Sequence, residues 1–301
     1  MNIRVSDSST SFNLASRING QRSVLSVLQE RISSGKRINR PSDDPNGAEV
    51  VMNLKTSQKE IEQFKRSAAT ANQKLTAADS ALNSYETVLD RLRALTTNAL
   101  SGSTTQTSRN ALASEMEALG ERVLSIANLK NGDEFLFGGT RQNAAPFDPS
   151  TAAPSATPAT ASYVQIEPGT TAIAVGVTAE TVFSDATSTI FKDLKAAVTA
   201  LRGTGDATTD RASIENTMSR LSVYADLSGV ARTRVGVSMN TAETAQGRLS
   251  DDSFSIEERV QSIESADFAE TAIQLAEAQN VLEATLQVAA KGRRSLFDFL
   301  G

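Results

Sequence analysis

The feature that most constrains this chain is a proline-free stretch of helical pattern from Ala48 to Asn98. Its apolar residues recur at spacings of three and four, which places them along one face of an α-helix. A run of this length exceeds the roughly 8 to 20 residues that are usual for a globular helix, so it predicts a rod or bundle. The stripe consists of Leu75, Ala78, Leu82, Tyr85, Leu89 and Leu92.

Both ends of the chain carry a similar apolar stripe. Residues 10–34 form one predicted amphipathic helix, which Gly35 ends, and Pro41 and Pro45 prevent an immediate restart. The N-terminal stripe consists of Leu14, Ile18, Leu25, Leu28 and Ile32. The C-terminal stripe consists of Phe268, Leu275, Leu282, Leu286, Leu296 and Leu300. From periodicity alone, the two stripes either pair within one chain or become ordered only on assembly with neighbouring chains.

The middle of the chain interrupts this helical pattern. Helical spacing holds over residues 112–126, 190–201 and 214–224, but five of the seven prolines fall between Arg141 and Lys192. After a turn-like segment, an apolar residue recurs at every second position, which is typical of a strand. These residues are Ile173, Val175 and Val177. The pattern predicts a small β-containing insert that stands outside the helical bundle.

The predicted fold class is mainly α with a small β insert. An elongated helical bundle or coiled coil would form from the N- and C-terminal segments, with a central β-containing domain. The predicted segments are an N-terminal assembly helix at 1–40, the halves of the bundle at 41–142 and 187–264, the insert at 143–186 and a C-terminal assembly helix at 265–301.

Composition excludes much of the chemistry that sites require. The chain has no Cys, His or Trp, which removes disulfides, Cys/His zinc sites and histidine-dependent hydrolases. The net charge of −5 gives no basic field for nucleic acid, and no apolar run has the length of a membrane span or a secretory signal. We therefore predict no catalytic, metal-binding or cofactor-binding residue.

Isolated motifs have structural explanations. Gly35-Lys36 lacks the remaining residues of a phosphate-binding loop, so Gly35 is expected to end a helix. Asp43 and Asp44 lie between prolines and are expected in a turn or a helix N-cap. Gly138-Gly139 is expected to form a backbone bend where the bundle gives way to the insert. The basic residues Lys291, Arg293 and Arg294 are expected on a solvated or subunit-facing surface.

Both ends of the chain resemble the flagellin superfamily. Residues 28–39, which read LQERISSGKRIN, are followed by Arg40-Pro-Ser-Asp-Asp-Pro45, and together they resemble its N-terminal signature. Flagellins usually carry a proline-free equivalent, whereas prolines on both sides of Ser-Asp-Asp are similar to the family of hook–filament junction proteins. Four more segments fit that family: residues 133–140 with Pro146-Phe147, 234–236, 266–270 and 294–300. Residues 143–186 carry none of the resemblance.

The resemblance implies an extracellular structural protein, exported by the flagellar type III apparatus, that forms a layer between another hook-associated protein (FlgK) and the flagellin filament. Its implied partners are further copies of itself in a ring, FlgK, flagellin and an export chaperone, with no nucleic acid and no membrane. It also implies terminal helices that are poorly ordered in the free subunit and form coiled coils in the tube. The terminal stripes are therefore the predicted assembly interface.

Two other functions stay open. The first is a small flagellin that forms the filament itself, which would require many copies. The second is a secreted enzyme or adhesin whose insert binds a ligand. That function would require convergent polar groups in residues 143–186, where the sequence shows no recognised motif.

Overall fold

The computed structural model describes residues 3–101, 105–155, 157, 159–169, 172–203 and 206–300, with side chains between residues 12 and 290. This part of the chain is mainly helical, with two small antiparallel sheets, so the predicted fold class is confirmed. The helices are α1 (Ile3–Ser34), α2 (Pro45–Leu100), α3 (Gln106–Ala127), α4 (Ala179–Phe183), α5 (Ile190–Leu201), α6 (Ala207–Glu264) and α7 (Phe268–Leu300). The strands are β1 (Lys130–Asn131), β2 (Glu134–Phe135), β3 (Tyr163–Val164) and β4 (Ile173–Ala174).

The chain divides into two compact units. Unit 1 comprises Met1–Glu60 and Asp252–Gly301, and unit 2 comprises Ile61–Asp251. Unit 1 thus joins the two ends of the sequence, and α2 and α6 each contribute residues to both units. The segment boundaries given above stay predictions.

The core of unit 2 is built on the apolar stripe predicted for α2. All of its side chains are at most 1% exposed: Leu75, Ala78, Leu82, Tyr85, Leu89 and Leu92. Helix α3 packs against α5, and both bury apolar side chains in the same core, among them Met116 and Leu194. Helix α6 adds Leu221 and Tyr224. The spacing of apolar residues with the helical period of about 3.6 therefore predicted most of this core, because each helix buries one face.

Residues of the insert belong to this core, so the prediction that the insert stands outside the bundle is wrong. Phe147 and Phe183 are fully buried, and the ring centroids of Phe183 and Tyr85 lie 4.6 Å apart. Strands β3 and β4 pair antiparallel, and their apolar residues pack on alanines of α2 and α6. Those alanines are Ala68, Ala71, Ala242 and Ala245. Alanine faces leave apolar helix surface that larger side chains must cover, and the insert supplies them.

Two glycine positions shape the entry to the insert. Strands β1 and β2 form an unpredicted hairpin, in which Gly132 has a φ of +64°. The predicted bend at Gly138-Gly139 is confirmed, since Gly139 has a φ of +55°. A Cβ at Gly139 would lie 2.2 Å from the carbonyl oxygen of Thr160, so the bend requires glycine for space as well as for conformation.

Candidate assembly interface

In unit 1, the helices from the two ends of the chain pack against each other. Helix α1 lies along α7, as expected if the two apolar stripes pair within one chain. Leu28 is 5% exposed, and it lines a groove between the helices together with Ala278 and Val281. The groove has a volume of about 570 Å³, and Val24 and Val27 of α1 also line it. One face of each helix is therefore used inside the chain.

The predicted interface residues fall into three groups. On α1, Leu28 is buried, and the other members of the stripe are partly buried: Leu14, Ile18, Leu25 and Ile32. On α7, Leu275 and Leu282 are partly buried, whereas Phe268 and Leu286 are exposed. The side chains of Leu296 and Leu300 lie outside the described residues.

A second set of apolar side chains, here called the outer row, remains exposed on the same helices. It consists of Phe12, Val24 and Val27 on α1 and Phe268, Ile273, Val281, Leu286 and Val288 on α7. Only Phe268 and Leu286 were predicted as interface residues. The heptad spacing of Val281 and Val288 is a signal that could have identified part of the remainder.

The loop that follows α1 is held in one conformation by its own side chains. Gly35, with a φ of +70°, ends α1, which confirms its predicted role. The carboxylate of Asp43 accepts hydrogen bonds from the amides of Asn39 (3.1 Å) and Arg40 (2.9 Å). Asp44 accepts from the amide of Gly47 at 2.9 Å and so caps α2, which begins at Pro45. These bonds confirm the turn and N-cap roles expected for the two aspartates.

This loop is bonded to the turn between α6 and α7, and we call the contact of residues 35–44 with residues 263–267 the clasp. The amide of Arg37 donates to the carbonyl oxygen of Glu264 at 2.7 Å. The amide of Ala266 donates to the carbonyl oxygen of Gly35 at 3.0 Å. The clasp therefore joins the N-terminal signature to the segment 266–270, which carried the C-terminal part of the resemblance.

Charged side chains reinforce the clasp. The Glu264 carboxylate lies 3.2 Å from the ammonium of Lys36 and 2.9 Å from that of Lys55 in α2. Partial burial disfavours the ionised form of Glu264, but the two ammonium groups outweigh it and hold the pKa of this carboxyl below its usual value. The Arg37 guanidinium donates to the carbonyl oxygen of Ile263 and to Asp44, at 3.1 and 3.2 Å.

Helix α7 begins at the clasp with a side-chain cap. The carboxylate of Asp267 accepts from the amides of Ala269 (2.8 Å) and Glu270 (3.1 Å), which satisfies two donors of the first turn. An aspartate followed three residues later by a glutamate is close to the capping-box pattern, so this helix start was readable from sequence. The long-range pairing of the clasp had no comparable signal.

The described residues show no arrangement for metal chemistry. No group of three or more potential metal-ligating side chains occurs among them. Within the same residues, no helix has the length and apolar character needed to cross a membrane. Unit 1 thus presents the exposed apolar side chains of the outer row and the ion pairs of the clasp.

The N-terminal half of this arrangement has relatives. Residues 5–142 match the bacterial flagellin N-terminal helical region. That helical region covers α1, the loop of the clasp, α2, α3 and the hairpin of β1 and β2.

The individual relatives are flagellar proteins. Flagellar hook-associated protein 3 of Salmonella typhimurium is 30% identical over 125 residues, which cover 41% of this chain and 39% of that protein. Polar flagellin F of Vibrio parahaemolyticus is 30% identical over 118 residues, 39% of this chain and 30% of that protein. The chain thus spans about two fifths or less of the length of these relatives.

A solved structure extends the similarity beyond the flagellin N-terminal helical region. The crystal structure of Xanthomonas campestris FlgL superposes with a TM-score of 0.61 at 16% identity, covering 69% of this chain and 99% of that chain. At this identity the superposition establishes a common fold.

Proposed function

We propose that this chain is a structural adaptor of the bacterial flagellum, which forms the junction layer between hook and filament. The observation that carries the proposal is the outer row, a set of large apolar side chains that stay exposed although α1 and α7 pack against each other. Large apolar side chains that are exposed together are typical of contact surfaces. The names of the relatives support a flagellar assembly as the partner of that surface.

In this proposal the outer row receives terminal helices of neighbouring copies. The groove beside Val24, Val27 and Val281 is open, and its lining mixes these valines with polar residues, so a helix seated there would bury valine side chains that a single chain leaves in water. Complete burial of an exposed valine stabilises a contact by about 1.5 kcal/mol. The free subunit then lacks this contribution, which supports terminal helices that become fully ordered only on assembly.

The remaining parts of the proposal follow from the flagellar relatives. The ring of subunits would contact a FlgK-like hook-associated protein on one side and flagellin on the other. The chain would be exported with a flagellar chaperone and would act outside the cell. It would have no enzymatic activity, as the structural relatives suggest.

The second candidate is a small flagellin that forms the filament. One observation favours it: polar flagellin F matches this chain at the same 30% identity as hook-associated protein 3. The prolines Pro41 and Pro45 around Ser-Asp-Asp support the junction role instead. Immunogold labelling separates the two, because a junction protein labels only the base of the filament and a flagellin labels its whole length.

Complementation of a deletion strain tests the proposed assembly surface. Val281→Asp places a charge in the outer row at the rim of the groove, where Val281 is half exposed, so circular dichroism must first show that the free variant keeps its helices. Asn280→Asp is the matched control, because it adds the same charge at the neighbouring exposed position outside the row. We expect hooks without filaments in the deletion strain and with Val281→Asp, and normal filaments with Asn280→Asp.

Secretion of each variant must be measured in the culture medium, so that an export defect is not scored as an assembly defect. Normal filament number and motility with a secreted Val281→Asp variant would refute the outer row as the assembly surface. Normal filaments in the deletion strain would refute the junction role itself.

A further inference from the structure

Helix α6 presents an exposed valine face in unit 2. Val223, Val230 and Val237 recur every seven residues, and they are 38%, 51% and 63% exposed. Residues seven apart lie nearly in line along a helix, so the valines form one continuous stripe. We call this surface, from Ser222 to Val237, the valine face.

Two exposed glycines lie on α6 about 100° round the helix from the valine stripe. Gly229 and Gly236 each directly precede a valine of the face, and a Cβ at either position would meet no heavy atom within 4 Å. Packing within the chain therefore gives no reason for glycine, although glycine costs about 1 kcal/mol relative to alanine in a helix interior.

The valine face carries few charges, and no described residue forms an ion pair with them. The only charged residues among its exposed positions are Asp226 and Arg234. Neither makes an ion pair with any described residue, in contrast to Arg220 and Arg232 on the same helix. An ordinary solvated helix face carries many charges, so this composition is typical of a contact surface.

The valine face is complementary to itself when it is reversed. Asp226 and Arg234 lie four residues on either side of Val230, and Val223 and Val237 lie seven residues on either side. Reading the helix backwards about Val230 therefore exchanges valine with valine and aspartate with arginine. A two-fold axis that relates antiparallel helices brings such positions to the same level.

We infer that two copies of this chain pair through α6, antiparallel, about a two-fold axis at Val230. In this pair Val230 meets Val230 of the second copy, and Val223 meets its Val237. Asp226 meets Arg234 twice, once on each side of the axis. An isologous contact repeats every favourable interaction, so a short face supplies two ion pairs and three apolar layers.

This pairing is separate from the proposed junction layer. Subunits of a ring all point the same way along its axis, whereas the paired copies of α6 run in opposite directions. The pair is therefore a state of the free protein that ends on incorporation into a ring, and its existence does not depend on the flagellar role.

Single-cysteine crosslinking tests the pairing register in the full-length protein. The natural chain has no cysteine, so an introduced thiol can form a disulfide only with the thiol introduced into another copy of the chain. Under mild oxidation we expect Val230→Cys to form a disulfide dimer rapidly. Val223→Cys and Val237→Cys should crosslink when mixed but not alone, because like positions would lie about 21 Å apart at 1.5 Å per residue. Ser84→Cys, at an exposed position on α2, is the control for random collision.

Charge reversal tests the recognition without any crosslink. Asp226→Arg should weaken self-association, measured by sedimentation equilibrium, about tenfold or more, because each pair contains the altered contact twice. Adding Arg234→Asp restores opposite charges, so the double variant should return close to the natural affinity.

Four outcomes would overturn the inference. They are crosslinking of Val230→Cys no faster than that of Ser84→Cys, efficient crosslinking of Val223→Cys with itself, a protein that is monomeric at all concentrations, and a double variant as weak as Asp226→Arg. The second outcome would indicate parallel helices, and the first and third would assign the valine face to a different partner.

Discussion

Replacing Glu264 by glutamine measures how strongly the clasp stabilises unit 1. The substitution keeps the size of the side chain but removes the charge that faces Lys36 at 3.2 Å and Lys55 at 2.9 Å. Hydrogen bonds to charged groups contribute about 1.5 to 3 kcal/mol when well shielded. The two lysine side chains are 47% and 44% exposed, so solvent reduces this, and we expect a loss of about 1 to 2 kcal/mol for both contacts together.

Hydrogen exchange at two amides reads this loss directly. The amides of Arg37 and Ala266 form the backbone bonds of the clasp, so opening of the clasp exposes both. A loss of 1 to 2 kcal/mol corresponds to exchange that is about 5 to 30 times faster. Glu258→Gln is the control, because Glu258 is exposed on the same helix and makes no ion pair with a described residue. Unchanged exchange at both amides in Glu264→Gln would refute the electrostatic account of the clasp.

The effect of this substitution should depend on pH in a defined direction. The pKa of Glu264 in the folded chain lies below its ordinary value of 4.5, because the two ammonium groups outweigh the effect of partial burial. Its contribution is therefore fully present above pH 4.5 and is lost as the pH falls through the lower, folded-state pKa. At a pH below the folded-state pKa of Glu264, the natural chain and Glu264→Gln should exchange at the same rate. A difference that persists there would mean that the carboxylate charge is not the cause.

Three further predictions concern unit 2, each measured by the urea midpoint of unfolding. Phe183→Ala should lower the free energy of unfolding by about 3 to 5 kcal/mol, because the buried Phe183 ring packs on those of Tyr85, Phe137 and Phe147; a loss below 1 kcal/mol would contradict that packing. Gly139→Ala should cost about 1 to 3 kcal/mol from its backbone conformation, with further loss from the contact with Thr160, whereas Gly169→Ala, with a φ of +69° and open space, should cost less. Deleting residues 150–180 should lower the midpoint strongly, and an unchanged midpoint would show that these residues do not support the core.

The helices were largely predictable because their apolar residues repeat with the helical period. Val51, Leu75 and Leu92 are all buried on α2, and glycine and proline marked where the first helices end and begin. The insert was misjudged for a physical reason. Its buried residues, such as Phe147 and Phe183, are spaced irregularly, and periodicity reports only regular elements.

The candidate site was only partly readable from sequence. The apolar stripe that contains Leu28 could be identified from its spacing. Which apolar residues of α1 are buried against α7 and which stay exposed in the outer row depends on the face of α1 that meets α7, and the spacing does not give that face. The clasp required knowledge of long-range pairing, which no local pattern contains. The hairpin of β1 and β2 had a local signal in Gly132-Asp133, since glycine followed by aspartate favours a two-residue turn between strands.

The clasp also sets the order in which this chain can fold. Arg37 and Ile263, which it joins, are separated by 226 positions in the sequence. Closing a flexible loop of that length costs about 5 kcal/mol in chain entropy, comparable to the total that the bonds of the clasp can contribute. Prior folding of the intervening residues removes most of this cost, because far fewer conformations then remain to be lost. A chain threaded through a narrow channel from either end therefore carries no clasp until residues 35–44 and 263–267 have both emerged.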